Sequence, residues 1–303
     1  MNNKEFNLGI SYAALGSLWW GILGVIYFEY ISFIGHFESV IHRCIWTSLF
    51  LLITTVYFSK WKIFFEVIKN KKNLIILFFS GFLIFINWAV WIYAVSTNQI
   101  IDASFGYFIM PIISVFLGYI FFNEELNTKR KISIILVIVS VLYISFYSLN
   151  SLPWVGIVVA LSWSFYNLLR KKINVDTDIG LFIESLFILP FALIGFYFIA
   201  INNLNDFSSV NISLSVLILL SGPMTVIPLF LYVRGVELCG LGPTGMIFYI
   251  TPTFQFILGY FYFNEVFSLP KFLSFIIIWI AVAIYLRDLY ESDLLVSNIN
   301  LKQ

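Results

Sequence analysis

Charge is scarce in this sequence. Of its 303 residues, 11% are Asp, Glu, Lys or Arg, against roughly 25% in an ordinary soluble domain. Seventeen basic and sixteen acidic side chains are too few to solvate a 35.1 kDa protein, whereas a surface facing lipid needs almost none. A cytosolic enzyme is thereby excluded. Histidine occurs twice, at His36 and His42, and cysteine twice, at Cys44 and Cys239, so neither paired axial haem ligands nor a disulfide framework is available. Asp102, in an apolar run, has no second aspartate near it in sequence, and no G-x-S-x-G accompanies a histidine. These gaps remove Mg²⁺-dependent prenyl or phosphoryl transfer and rhomboid-like proteolysis. No carboxylate or histidine cluster suited to a metal is present, and no cofactor is expected.

What fills the space is apolar: 61% hydrophobic residues and a mean hydropathy of +0.96. Runs such as Leu74 to Ile86 and Ile132 to Tyr147 are apolar on nearly every face, unlike the alternating strands of a membrane barrel. A spanning helix takes about 20 such residues. Apolar segments cover residues 8–28, 38–59, 73–96, 101–122, 130–148, 153–170, 179–200, 212–234, 242–263 and 270–288. The fold class read from them is an all-α integral membrane protein of ten transmembrane helices, with the bilayer as its main partner and no role for nucleic acid. MNNKEFNLG lacks the features of a cleaved signal, so the first segment reads as a retained helix.

Basic residues orient the chain. With an inward N-terminus, Lys4, the lysines between Lys60 and Lys72, Lys129–Lys131, Arg170–Lys172, Arg287 and Lys302 all fall on one side, fourteen in number, and Lys271 alone falls on the other. Positive charge accumulates on the cytoplasmic side. Both termini are therefore expected to be cytoplasmic, which requires an even number of spans.

A shift of 141 residues superimposes the chain on itself. GYIFFNEEL (Gly118–Leu126) falls on GYFYFNEVF (Gly259–Phe267), Pro111 on Pro252, Tyr107 on Phe248, Trp91 on Tyr232 and Arg43 on Glu184. One offset serving several helices marks a duplication, dividing the chain into residues 1–148 and 149–303. Five helices per unit is odd, so the second unit enters the membrane from the opposite side. Inverted repeats of this kind build many secondary transporters, with the site between the halves and access alternating between the two faces.

Charges within spans cost at least about 2.5–3.5 kcal/mol each and need a reason. Arg43 reads either as a structurally paired residue near Glu29, Glu38 and His42, or as a bidentate anchor for a carboxylate or phosphate. Glu184 reads either as a partner of the Arg170–Lys172 cluster or as a proton carrier. A direct Arg43–Glu184 pair is not expected, since the inverted repeat puts them about 15 Å apart in depth. His42 is either hydrogen-bonded near its helix start or a proton-carrying neighbour of Arg43. Arg234 and Glu237, spaced i, i+3, read as a local pair.

Polar and aromatic positions form stripes. Ser17, Trp20, Gly24 and Tyr27 recur with helical spacing on the first helix, and Asn87, Trp91 and Ala94 on the third. Ser162, Trp163 and Tyr166 cluster on the sixth, while Ser104, Tyr107 and Pro111 on the fourth answer to Gly245, Tyr249 and Pro252 on the ninth. Pro111 and Pro252 are expected as helix kinks. The substrate-pathway candidates are thus Trp20, His42, Arg43, Asn87, Trp91, Tyr107, Tyr166, Glu184 and Tyr249. A cavity lined by aromatics and one or two charges suits an amphipathic organic solute, often a cationic one through cation–π contact.

Several of these stretches carry a family likeness. H-R-x-I-W at His42–Trp46, N-W at Asn87–Trp88, A-S-x-G-Y-F-I-x-P at Ala103–Pro111, Y-N-L-L-R-K-K at Tyr166–Lys172 and I-E-x-L-x-x-L-P at Ile183–Pro190 are similar to RarD-type permeases. The two G-Y-x-x-F-N-E segments with their upstream prolines resemble the EamA repeats of the drug/metabolite transporter superfamily. The resemblance spans nearly the whole chain. It implies a bacterial inner-membrane carrier of ten helices around a central cavity, moving a small organic metabolite or drug-like amphiphile. The superfamily includes facilitative members, so the likeness leaves proton coupling open.

Overall fold

The computed structural model describes residues 3–123, 126–147, 153–207 and 211–300, and every regular element among them is helical. Helix α1 (Asn3–Leu18), a π-helical turn at Trp19–Leu23 and α2 (Gly24–Tyr30) form one continuous span. There follow α3 (His36–Tyr57), the short α4 (Trp61–Lys69), α5 (Lys71–Ser96), α6 (Ile100–Phe122), α7 (Thr128–Tyr147), α8 (Trp154–Lys171) and α9 (Thr177–Ile201). The chain ends with α10 (Ile212–Leu219) running into α11 (Ser221–Cys239), then α12 (Leu241–Ile247), α13 (Ile250–Phe261) and α14 (Leu269–Asn300).

Among the described residues, eight helical stretches are long and apolar enough to cross a membrane. The two further segments counted in the sequence take a different form. Helix α8 has 18 residues and ends in Arg170 and Lys171, while α12 and α13 are separated by a break at Phe248 and Tyr249. Pro252 stands just after that break, where it frees a carbonyl that a regular helix would use. Pro111 sits inside an uninterrupted α6.

Large apolar side chains such as Phe79, Phe146, Phe191 and Tyr197 point outward and are exposed, as a protein facing hydrocarbon requires. Inside, small residues bring helix backbones close. A Cβ on Gly16 would lie 2.9 Å from the Pro228 carbonyl and one on Gly235 2.8 Å from Ala13 Cβ, fastening α1 to α11. Gly106 and Gly156 bring α6 and α8 into comparable contact. Between α7 and α14, the Ser133 hydroxyl donates to the Ala281 carbonyl (3.0 Å) and that of Ser140 to the Ser274 carbonyl (2.9 Å).

The two ends of the bundle are held differently. One end carries Lys60, Lys129–Lys131 and Arg170–Lys172, and is referred to as the basic end. There Lys60 pairs with Asp178 (2.7 Å), Arg130 with Asp288 (2.7 Å) and Lys129 with Glu291. Lys129 and Arg287 hold the Glu291 carboxyl below its ordinary range. At the opposite end, Lys271 pairs with Asp102 (2.8 Å).

Two sequence readings are refined, and the repeated motif acquires a structural role. The lysine-rich break at residues 60–73 contains α4, whose Phe64 and Val67 are buried; its alternating charged and apolar residues conceal a surface-lying amphipathic helix. The stripe through Ser17, Trp20, Gly24 and Tyr27 crosses the π-turn, which winds more residues into a turn than an α-helix does, so its members meet different neighbours. Ser17 presents its carbonyl to the Thr251 hydroxyl (3.0 Å), and the Tyr27 hydroxyl donates to the Leu217 carbonyl (2.7 Å). The repeated G-Y-x-x-F-N motif ends both helices in one way: Asn123 and Asn264 adopt left-handed φ of 53° and 52°, the conformation that stops a helix and that asparagine tolerates. Glu124 lies outside the described residues.

A candidate substrate cavity

A cavity of about 600 Å³ lies between the helices, within the usual range for small-molecule sites. Eleven of its lining residues are aromatic. The π-turn aims Trp20 into it, α5 contributes Trp88 and Trp91, α6 Tyr107, α8 Trp163 and Tyr166, α11 Tyr232 and the α12–α13 break Phe248. Tyr107 and Phe248, related by the 141-residue offset, meet edge to face with ring centres 6.5 Å apart. Ser114 and Gln255, related by the same offset, both face the cavity, and each has a buried side-chain oxygen without a hydrogen-bond partner among the described residues.

The lining continues through Gly118, Phe122, Lys171 and Thr177 to the basic end. At the opposite end Glu265, in the turn between α13 and α14, accepts from the backbone N–H groups of Ile100 (2.6 Å) and Ile101 (2.9 Å). These are first-turn donors of α6, which have no partner within their own helix. Burial pushes the Glu265 carboxyl above its ordinary value, while the two N–H groups pull the other way. In the second copy the Asn-Glu pair, Asn264–Glu265, is therefore a helix stop followed by a clasp on another helix, a role that residue spacing does not reveal.

Arg43 is 7% exposed and lies on the cavity wall. Its guanidinium sits over Trp88 (4.6 Å to the ring centre), Phe28 (5.0 Å) and Trp91 (5.6 Å), while Nε and Nη1 have no hydrogen-bond partner among the described residues. The expected proximity to Glu38 and His42 does not extend to a bond with either. Five residues put Arg43 about 140° around the helix from Glu38. Glu38 instead accepts from the N–H groups of Asp206 (2.9 Å) and Phe207 (3.2 Å) and contacts His42 Nε2 (3.3 Å). The Trp46 indole in turn donates to His42 Nδ1 (3.2 Å). His42 is thus one rung of an i, i+4 ladder fixing the loop after α9, and it lies off the cavity.

Asn87 is also off the wall. It accepts from the Tyr107 hydroxyl (3.0 Å) and donates to Ser162 Oγ and the Val159 carbonyl, so it positions a cavity residue from behind. Glu184 is fully buried outside the lining. It receives the Ser80 hydroxyl (2.5 Å) and the Tyr166 hydroxyl (3.2 Å) and lies 3.7 Å from Arg170. Arg170 fits there because Gly180 has no side chain in its place. Tyr249 stacks on Phe108, and Phe248 takes the cavity position expected of it. Pro111 is on the wall, whereas Pro252 is not. Arg234 and Glu237 form an exposed local pair at 2.6 Å. Among the described residues no group of His, Cys, Asp or Glu comes together as a metal site, and Cys44 and Cys239 are both free and buried.

An apolar helical bundle enclosing an aromatic cavity that reaches one end and is clasped at the other has the anatomy of a membrane carrier. The chain belongs to the EamA-like transporter family, as a RarD-type member: the family is matched over residues 7–146. The protein RarD of Salmonella typhi is 32% identical over 288 residues, covering 95% of this chain and 97% of that one. RarD of Escherichia coli (strain K12) is 31% identical with the same coverage. An uncharacterized transporter of Bacillus subtilis (strain 168), YojE, is 31% identical over 94% of this chain and 95% of its own. The chain is a multi-pass bacterial membrane transporter.

Proposed function

We propose that this transporter carries a small amphipathic metabolite across the bacterial inner membrane by alternating access. In this reading it is a secondary transporter of ten spanning helices in two inverted halves, residues 1–148 and 149–303, with both termini cytoplasmic. The observation that carries the proposal is the asymmetry of the bundle: the cavity lining runs to the basic end, while at the other end Glu265 ties the turn after α13 to the start of α6. Helix α8 and the broken α12–α13 supply the ninth and tenth spans. The matching left-handed Asn123 and Asn264 and a family match ending at residue 146 support two halves. The positive-inside rule makes the basic end cytoplasmic, so the conformation described is inward-open. Opening the Glu265 clasp, with the Asp102–Lys271 pair beside it, gives the outward-open form.

Glu184 acts in this scheme as the holder of Tyr166 and Arg170, not as a proton carrier. Its carboxylate is enclosed by donors and reaches the cavity only through the Tyr166 hydroxyl. The transport reading is tested with purified protein in liposomes and a panel of labelled aromatic amino acids, aryl carboxylates and aryl amines. At least one is expected to equilibrate faster than in protein-free liposomes, and Ser114→Trp, which fills the cavity, is expected to stop it with the melting temperature retained. Equal leakage with and without protein for the whole panel contradicts transport.

A further inference from the structure

The charge of the substrate is written in what surrounds Arg43. Its cation–π faces are already occupied: Trp88, Phe28 and Trp91 surround the guanidinium itself. The rings offer the guanidinium no conventional acceptor, and two of its nitrogens, Nε and Nη1, are buried without a hydrogen-bond partner among the described residues. A buried donor left unpaired costs free energy that a bound acceptor recovers. Among the described lining residues there is no Asp or Glu, and the second cation, Lys171, lies toward the basic end. A cationic solute would meet Arg43 across a medium of low dielectric with no carboxylate to balance it, which is repulsive.

We infer that the cavity takes an organic monoanion, a carboxylate on an aromatic or similarly apolar body, with Arg43 as its anchor. The inference rests on the transport reading above and replaces the cationic solute suggested by aromatic content alone. One guanidinium balances one negative charge, and its planar fork matches a carboxylate in two parallel hydrogen bonds. The aromatic walls take the apolar body. Ser114 and Gln255, with their unpartnered oxygens, accept a donor group elsewhere on it. Phe28, Trp88 and Trp91 pack around the guanidinium, so it is held in place before the ligand arrives, which limits the ordering cost of binding.

The test uses the purified full-length chain in detergent and three ligands sharing one ring: phenylacetate, phenylacetamide and phenethylamine, titrated by thermal shift at pH 7.5. Phenylacetate is expected to bind at least about ten-fold more tightly than either of the others, the scale of a hydrogen bond to a charged group. Arg43→Gln is expected to reduce phenylacetate to the level of phenylacetamide while leaving the amide within about two-fold, and Arg43→Lys to retain part of the preference. The wild-type ranking stands as a test without any variant, so a poorly folded Arg43→Gln protein leaves the proposal falsifiable. Equal or tighter binding of the amine or amide, no binding of any of the three, or a preference that survives Arg43→Gln in folded protein overturns it. Flux of phenylmethanesulfonate, a permanently charged relative that does not leak through lipid, separates the two readings. Phenylacetate binding without sulfonate flux keeps the anion site and contradicts carriage of such anions, whereas flux of all charge types alike keeps the carrier and removes the anion class.

Discussion

Glu184→Gln is expected to destabilise the protein by about 3–5 kcal/mol, the usual cost of breaking one side of a buried ion pair. The substitution keeps size and one acceptor oxygen, so packing changes little; of the Ser80 and Tyr166 hydroxyls, which donate to different carboxylate oxygens, one keeps its acceptor and the other turns to accept from the amide NH2. It leaves Arg170, which is 12% exposed, without its carboxylate partner and, among the described residues, with the Val175 and Asp176 carbonyls at 3.3 and 3.5 Å for compensation. Removing that charge as well, in Glu184→Gln/Arg170→Met, is expected to recover at least about half of the loss, because no uncompensated charge remains. Denaturant unfolding in detergent measures all four corners of the cycle. In proteoliposomes the single variant is expected to keep the pH dependence of the wild type. A loss below about 1 kcal/mol, together with abolished pH-driven uptake, would make Glu184 a proton carrier and contradict its role as a holder.

Glu265→Ala is expected to shift the carrier towards its outward-open form. The Glu265 carboxylate makes two hydrogen bonds to N–H groups at a helix start, and bonds to a charged group contribute about 1.5–3 kcal/mol each. Taking a single bond's worth as the net bias, the equilibrium moves by about ten- to hundred-fold. Spin labels placed at the opposite ends of α6 and α14 read the change as a new, longer distance population. Glu265→Gln keeps an acceptor and is expected to show an intermediate shift. An unchanged distance distribution in Glu265→Ala would mean that the Asp102–Lys271 pair closes that end unaided.

The spans were legible because hydrocarbon imposes a simple rule on sequence, and the apolar runs match the helix limits to within a few residues at most ends, Lys71–Ser96 and Ile100–Phe122 among them. The line through Trp20, Arg43, Trp91, Tyr107 and Tyr166 was also legible, since polar and aromatic residues inside a span need protein or cavity around them. What escaped was rotation and pairing. The π-turn at Trp19–Leu23 leaves no mark in composition, so the first-helix stripe read as one face. His42, beside Arg43 in sequence, turns to the Glu38 and Trp46 face, and Asn87 supports the wall from behind. Trp88, although part of the N-W motif, and Phe28 were not placed beside the guanidinium, because an aromatic among so many carries no signal of its own. Glu265 was visible as a repeated residue, but its partner N–H groups are 164 and 165 positions away.

The central claim, one cavity opening alternately to two sides, meets its most direct test at Ser114 on the cavity wall. A single cysteine is placed there in a background without Cys44 and Cys239, and a membrane-impermeant methanethiosulfonate is applied from one side at a time in right-side-out and inside-out vesicles. The account predicts modification from both sides, faster from the cytoplasmic side, with Glu265→Ala raising the outer rate and lowering the inner one. Reaction from one side only, with and without Glu265, would describe a fixed pocket and contradict it.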